Sequence, residues 1–215
     1  MRHALRPLLI PTLCAVGLGL ASCSEDSDDT SADDTTAASS AETGSGEEAE
    51  ATDCAPYSGE TVEANNNPGE PVVTVPVPEG WGRSTEMDSE MIRLMIGDGN
   101  VSEPPVPNVN VVMEQGDGEP EDLFAQSLDG VENSLETEDL TSEETSLCDF
   151  PAMRLDYVQT QGNIEWDTTQ YMVSVPAEDG QYLATITLMA GDPASEEDLA
   201  LRQEIIDGIE VAEAD

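Results

Sequence analysis

The sequence contains no lysine, and its only histidine is His3, so the rest of the chain lacks the two side chains most often used in catalysis. Without histidine there is no Ser-His or Cys-His nucleophile and no imidazole metal site. Without lysine there is no Schiff base. Carboxylates remain, but a carboxylate pair catalyses only where the environment separates its two pKa values. We therefore expect no enzymatic activity, no cofactor and no metal, with a carboxylate-dependent hydrolase as the less favoured alternative.

Positive charge is equally scarce, because six arginines stand against 47 acidic residues and the formal net charge is −41. Such a surface repels the phosphates of nucleic acids, so we expect no nucleic-acid partner. The acidity is interpreted as a source of solubility or an adaptation to salt. Capture of cations or basic partners is the functional alternative. Arg93 and Arg154 are expected to form local ion pairs, with an anion site as the alternative.

Residues 1–22 have the layout of an export signal. Arg2 and Arg6 precede an apolar run over 8–20, which is shorter than the roughly 20 residues of a membrane-spanning helix. The run ends in Leu-Ala-Ser-Cys, a lipobox in which Cys23 would be acylated and become the mature N-terminus. At least two acyl chains would hold the protein stably on the extracytoplasmic face of the cell membrane. An ordinary secretory signal with a coincidental cysteine is the alternative.

The mature chain is predicted to be a tether followed by one domain. Residues 23–53 are rich in Ser, Thr, Ala, Asp and Glu and contain no aromatic, Val, Ile or Leu residue, which predicts a disordered acidic linker. Residues 54–215 are long enough for one domain with its own core. Cys54 and Cys148 are the two cysteines left there, and an exported protein is expected to join them in a disulfide. A zinc or redox pair is the weaker alternative, since no CxxC motif is present.

Hydrophobic periodicity predicts an α+β domain. One helix is expected over 120–135, and a terminal helix is expected after Ser195, with Leu199 and Ile209 among the residues on its apolar face. The segment 71–78 is expected to be a strand at a sheet edge, because its prolines lack hydrogen-bond donors. Further strands are expected over 91–96, 108–113, 140–147, 152–160, 166–175 and 182–189, with turns at 80–82 and 97–100.

Trp81, Arg83 and Trp166 are the candidate residues of a ligand cleft, since they could supply indole rings and a guanidinium group. The alternative is that Trp81 closes one end of the core. Trp166 and Tyr171 are five positions apart on one predicted strand, so they lie on opposite faces and one of them could be exposed. The acidic segment 116–122 offers oxygen ligands for Ca²⁺, but its spacing does not match an EF-hand loop, and a solvated turn is the favoured interpretation.

The ordered segments PVVTVPVPEGW, PPVPNVNVVM, LCDFPAMRLDY and YMVSVPAEDGQYLATITL resemble the LpqN/LpqT lipoproteins of mycobacteria and their relatives. The resemblance covers the chain from Cys54 to the C-terminus, together with the lipobox. It rests on turn and core residues, so it transfers no catalytic residue. It implies a Mog1p/PsbP-like sandwich, an antiparallel β-sheet flanked by helices, in a cell-envelope lipoprotein of an actinobacterium.

These features together predict a membrane-anchored, non-catalytic binding or accessory module, with an envelope protein or lipid as its partner. The alternative is a carrier of lipid or another small ligand in envelope biogenesis, with a cleft between sheet and helix. A continuous apolar pocket would favour the carrier, and a filled core would exclude it.

Overall fold

The structure, a computed structural model, describes residues 54, 56–99, 105–178 and 180–214. The predicted signal peptide, the linker and Cys23 lie outside these residues. In chain order the elements are β1 (Thr61–Glu63), β2 (Val72–Pro76), β3 (Trp81–Arg83), β4 (Ile92–Asp98), β5 (Asn108–Gly116), α1 (Pro120–Ser134), β6 (Glu136–Leu147), β7 (Phe150–Gln161), β8 (Ile164–Ala177), β9 (Gly180–Gly191), α2 (Glu196–Asp207) and β10 (Glu210–Ala212).

Seven strands form one antiparallel sheet in the order β3-β4-β5-β9-β8-β7-β6. Consecutive hairpins join β6, β7, β8 and β9, and β8 is central enough to be buried on both faces from Thr168 to Val175. Side chains alternate along a strand. As a result, Tyr171 and Val173 enter one hydrophobic cluster, while Met172 enters another on the opposite face. A sheet with helices on separate faces confirms the predicted α+β class.

The two helices cover opposite faces of this sheet. Helix α1 packs Leu123 and Phe124 against the cluster that contains Met172. Helix α2 contributes Ile205 and Ile206 to the cluster on the other face. It begins at the predicted capping box, in which the Ser195 hydroxyl accepts a hydrogen bond from the backbone N–H of residue 198. No helix within the described ranges is long and apolar enough to cross a membrane.

Two expectations for the apolar face of α2 were wrong. The Leu199 side chain is 47% exposed, because its position faces away from the sheet. Ile209 is buried as expected, but it lies beyond the end of the helix, between α2 and β10. Hydrophobicity alone did not separate these positions from the residues that reach the core.

A second, three-stranded sheet has the order β1-β2-β10 and packs on the same face of the large sheet as α2. The prediction that 71–78 forms an edge strand was therefore wrong, since β2 pairs with a neighbour on each side. Its prolines permit this, because Pro71 and Pro78 lie outside the strand and Pro76 is its last residue. The turns predicted at 80–82 and 97–100 were partly wrong. Trp81 and Gly82 belong to β3, and Gly97 and Asp98 end β4.

Cys54 and Cys148 form a disulfide, with 4.9 Å between their Cα atoms. This is the pairing that the cysteine count predicts. The backbone N–H of Val211 donates a hydrogen bond to Sγ of Cys148 over 3.0 Å, so the bridge also contacts the last strand. The disulfide joins the start of the described domain to the β6–β7 turn, 94 positions later.

Candidate functional site

A groove of about 1260 Å³ opens beside the N-terminal half of α2. Its walls come from segments that are distant in sequence: the stretch that includes Tyr57 and Glu60, the β2–β3 connection, Asp98 at the end of β4, and the end of β9. On α2, Glu197, Leu201 and Glu204 line it, and their spacing of three to four residues places them on one helical face. We call this site the acidic groove.

Aromatic rings and prolines make up much of its apolar surface, namely Tyr57, Trp81, Pro78, Pro105, Pro107 and Pro193. Pro105 packs directly on the backbone of Gly191, since a Cβ atom added to that glycine would lie 2.5 Å from Cγ of the proline. Proline fixes φ, so walls with four such residues lose little further freedom when a ligand binds. The groove is thus largely formed before any ligand enters.

Carboxylates supply all the formal charge of the described residues that line the groove, and neither lysine nor arginine is among them. The six acids are Glu60, Glu79, Asp98, Glu197, Asp198 and Glu204. Asp198 and Glu204 also take part in contacts within the fold. Asp198 accepts a hydrogen bond from the backbone N–H of Ser195 over 3.2 Å, and Glu204 accepts one from the Tyr57 hydroxyl over 2.5 Å. The hydrogen bond to Glu204 raises the pKa of Tyr57, with desolvation and the carboxylate charge acting in the same direction.

The arginines of the domain are paired with carboxylates outside the acidic groove. The expected local ion pairs of Arg93 and Arg154 are confirmed. Their nitrogens lie 2.6 Å from Glu70 and 2.8 Å from Asp156. The other two pairs are Arg83 with Asp88 at 3.2 Å and Arg202 with Asp167 at 2.7 Å. None of these four ion pairs therefore involves an acid of the groove.

The structure does not bring together the three residues of the predicted cleft. Trp81 lines the acidic groove and also packs against the main core. Arg83 is outside the groove, where its guanidinium donates to Asp88 and to the backbone carbonyl of Glu63. Trp166 is only 8% exposed.

Strand alternation places Trp166 away from the groove. Thr169, three positions later on β8, accepts a hydrogen bond from Arg202 of α2, so an odd offset puts Trp166 on the opposite face. Tyr171 shares the face of Thr169 and is 6% exposed. The two aromatic residues do lie on opposite faces, but the expectation that one is exposed was wrong, because β8 is covered on both sides.

The acidic segment 116–122 joins β5 to α1. Gly116 ends the strand, and Glu121 and Asp122 lie in the first turn of the helix, where the dipole favours negative charge. Among the residues that the structure describes, no group of three or more His, Cys, Asp or Glu side chains is placed to hold a metal ion. The segment has the form of the solvated turn that the sequence favours over a Ca²⁺ loop.

Sequence reasoning missed most of the acidic groove. Its lining spans positions 57 to 204, and only the tertiary fold brings these positions together. The signals that were available were indirect: the density of proline before β3 and between β4 and β5, and the three consecutive acids that open α2. Neither signal identifies a concave surface without the strand order.

Comparisons with a family model and with solved structures find similar proteins. The family model described as probable lipoprotein LpqN matches residues 58–212. The crystal structure of LpqN involved in cell envelope biogenesis of Mycobacterium tuberculosis has 16% identity and a TM-score of 0.58, covering 71% of this chain and 91% of that one. The solution structure of PsbP from the cyanobacterium Synechocystis has 13% identity and a TM-score of 0.47, covering 70% and 92%. No curated protein has a sequence that matches this chain.

Proposed function

Because the chain belongs to the probable LpqN lipoprotein family, we propose that it is anchored to the outer face of the cell membrane by acylated Cys23 and displays a non-catalytic binding domain in the cell envelope. The observation that carries the binding role is the acidic groove. It combines a preformed concave surface with two aromatic rings and a surplus of one charge, which are features of a recognition site. The involvement of Mycobacterium tuberculosis LpqN in cell envelope biogenesis supports the cellular context.

The groove suits binding better than catalysis. Its titratable groups are the six carboxylates and the Tyr57 phenol, without a histidine, lysine or cysteine among the described lining residues. Asp198 and Glu204 act in a helix cap and in a hydrogen bond between elements. This arrangement supplies the charge and shape that a recognition site uses.

The lipid-carrier alternative has less support. A carrier needs a deep apolar cavity for acyl chains. The apolar recess behind Trp81, lined by Leu201 and Ile205 among others, holds only about 10 Å³, which is about the space of one water molecule. The acidic groove is larger, but its carboxylates would have to be desolvated against a hydrocarbon chain.

The anchor is tested by Cys23→Ala in the full-length protein. We expect the variant to leave the membrane fraction, either as secreted protein or as unprocessed precursor, because it lacks the acyl chains. Cys14→Ala, which removes the cysteine inside the apolar run of the signal, is the matched control and should fractionate like the wild type. Unchanged detergent-phase partitioning of Cys23→Ala would contradict the lipid anchor.

The binding role is tested by photo-crosslinking in intact cells. A photoreactive amino acid at Glu79, in the groove, is compared with one at Glu144, an exposed residue of β6 outside it. The proposal predicts a discrete envelope adduct from position 79 and none from position 144. If neither position gives a protein, lipid or glycan adduct in correctly localised protein, the proposal fails.

A further inference from the structure

The acidic groove also carries information about its partner. We propose that it binds an extended, arginine- or lysine-rich segment of a protein. This inference rests on the binding role proposed above and adds the chemical class of the partner. It joins three features of the groove: a surplus of carboxylates with no arginine or lysine among the described lining residues, two aromatic residues, and a size and rigidity that suit a peptide.

The charge is arranged on more than one wall. Glu60 precedes β1, Glu79 lies in the β2–β3 connection and Glu197 lies in the first turn of α2. The positive end of a helix dipole would ordinarily favour an anion at that turn. Here the first turn carries three acids of its own, so an anionic ligand meets like charge and a cationic one does not. Because the groove is negative and the proposed partner is positive, electrostatic attraction would also accelerate their association.

The aromatic pair suits the same occupant. Trp81 is among the residues that line the groove, and indole is the ring that attracts cations most strongly. The Tyr57 ring is held in place by the hydrogen bond from its hydroxyl to Glu204. Guanidinium groups stack on aromatic faces while donating hydrogen bonds to carboxylates, and a groove that offers both kinds of surface fits arginine particularly well.

Size and rigidity favour a peptide over a small cation. At about 1260 Å³ the groove is larger than the roughly 300–1,000 Å³ of ordinary small-molecule clefts. Its charges are also spread over several elements instead of converging on one point. An extended segment can place successive basic side chains beside successive carboxylates, whereas a compact ion would reach only a few of them.

The test must separate this site from the general acidity of the chain. Fluorescein-labelled octa-arginine is titrated with the intact protein at roughly physiological ionic strength, where long-range attraction is screened beyond about 8 Å. Octa-citrulline, which has nearly the same shape without the charge, is the peptide control. The groove variant is Glu60→Gln/Glu79→Gln/Glu197→Gln. Its matched control, with the same change in net charge, is Glu132→Gln/Glu136→Gln/Glu144→Gln, built on exposed residues outside the groove.

We expect the groove variant to raise the Kd for octa-arginine at least tenfold and the control variant to change it less than twofold. Trp81→Leu should also raise the Kd several-fold, because it keeps an apolar side chain but removes the indole. Equal weakening by the two triple variants would overturn the proposal, and so would equal binding of octa-citrulline. Displacement of the peptide by equimolar spermine would overturn the assignment to a peptide. If octa-arginine does not bind while the cellular crosslink at position 79 persists, this inference fails and the binding role stands.

Discussion

The hydroxyl of Tyr57 donates a hydrogen bond to Oε1 of Glu204 over 2.5 Å, joining positions that are 147 residues apart. The tyrosine ring also packs on Gly208, since a Cβ atom added there would lie 2.7 Å from the ring atom Cδ2. The segment that enters the domain is thus laid along α2, and it forms one wall of the acidic groove. The path of the chain into the domain and the shape of the groove depend on the same contact.

Glu204→Gln is expected to lower the pKa of Tyr57 toward its ordinary value of 10.0, because the hydrogen bond to the carboxylate is what mainly raises it. A group whose pKa is higher in the folded than in the unfolded state stabilises the fold at pH values below its unfolded pKa. This stabilisation is lost as the pH rises through its folded pKa. Tyrosinate absorbance during an alkaline titration reports the change. Glu197→Gln, which leaves Tyr57 untouched, is the control, and identical titrations of both variants would contradict the assignment.

Loss of the disulfide should destabilise the domain without changing its fold. Cys54→Ser opens a covalent loop of 94 residues and is expected to lower the free energy of unfolding by about 2–4 kcal/mol, chiefly because the unfolded chain gains freedom. Urea denaturation measures the loss. A reducing agent should lower the stability of the wild type and leave that of Cys54→Ser/Cys148→Ser unchanged. Wild-type protein that denatures identically with and without reductant would exclude a stabilising bridge.

The accuracy of the sequence predictions depended on the length of each element. The strands β7 to β9 have 12 to 14 residues, and α1 has 15, so several periods of the hydrophobic pattern identify them. The strands β1, β3 and β10 have three residues each and contain no full pattern. They form because neighbouring strands offer backbone partners, which is information that only the tertiary fold contains.

The candidate site was less predictable because it depends on strand order. Trp81 and Trp166 are equally plausible groove residues by composition, but β3 lies at the edge of the large sheet and β8 lies inside it. The edge position leaves Trp81 partly accessible beside α2, whereas Trp166, on the inner strand, is buried. Cys54 and Cys148 could be paired without such knowledge, since no other cysteine of the predicted mature domain competes for them.

Two ion pairs that involve arginines of the large sheet should differ in their effect on stability because they differ in burial. The side chains of Arg93 and Glu70 are 9% and 8% exposed, and those of Arg154 and Asp156 are 37% and 40% exposed. Arg93→Gln leaves a buried carboxylate without its counterion, at a cost of about 3–5 kcal/mol. Arg154→Gln should cost about 1 kcal/mol or less.

Urea denaturation of the two variants provides the comparison. High salt should reduce the effect of Arg154→Gln further, because the exposed pair is screened by ions. It should leave the effect of Arg93→Gln nearly unchanged. Equal destabilisation by both substitutions would show that the Arg93–Glu70 pair is not buried in solution.

The last prediction concerns Tyr157, whose buried hydroxyl donates a hydrogen bond to Oε1 of Gln170 over 3.0 Å beneath α1. Tyr157→Phe leaves that buried oxygen without a donor and is expected to cost about 1–3 kcal/mol near neutral pH. Tyr157→Phe/Gln170→Leu, which removes both partners, should recover most of the loss.

Desolvation by burial raises the pKa of Tyr157 to about 12, so the wild type should lose about 1.4 kcal/mol per pH unit as the pH rises from about 10 toward 12. Because the phenylalanine variant lacks this titration, the stability difference between the two proteins should narrow over that range. Urea denaturation at several alkaline pH values measures the difference in unfolding free energy between the wild type and Tyr157→Phe. If this difference stays constant across the range, Tyr157 ionises without cost to the fold.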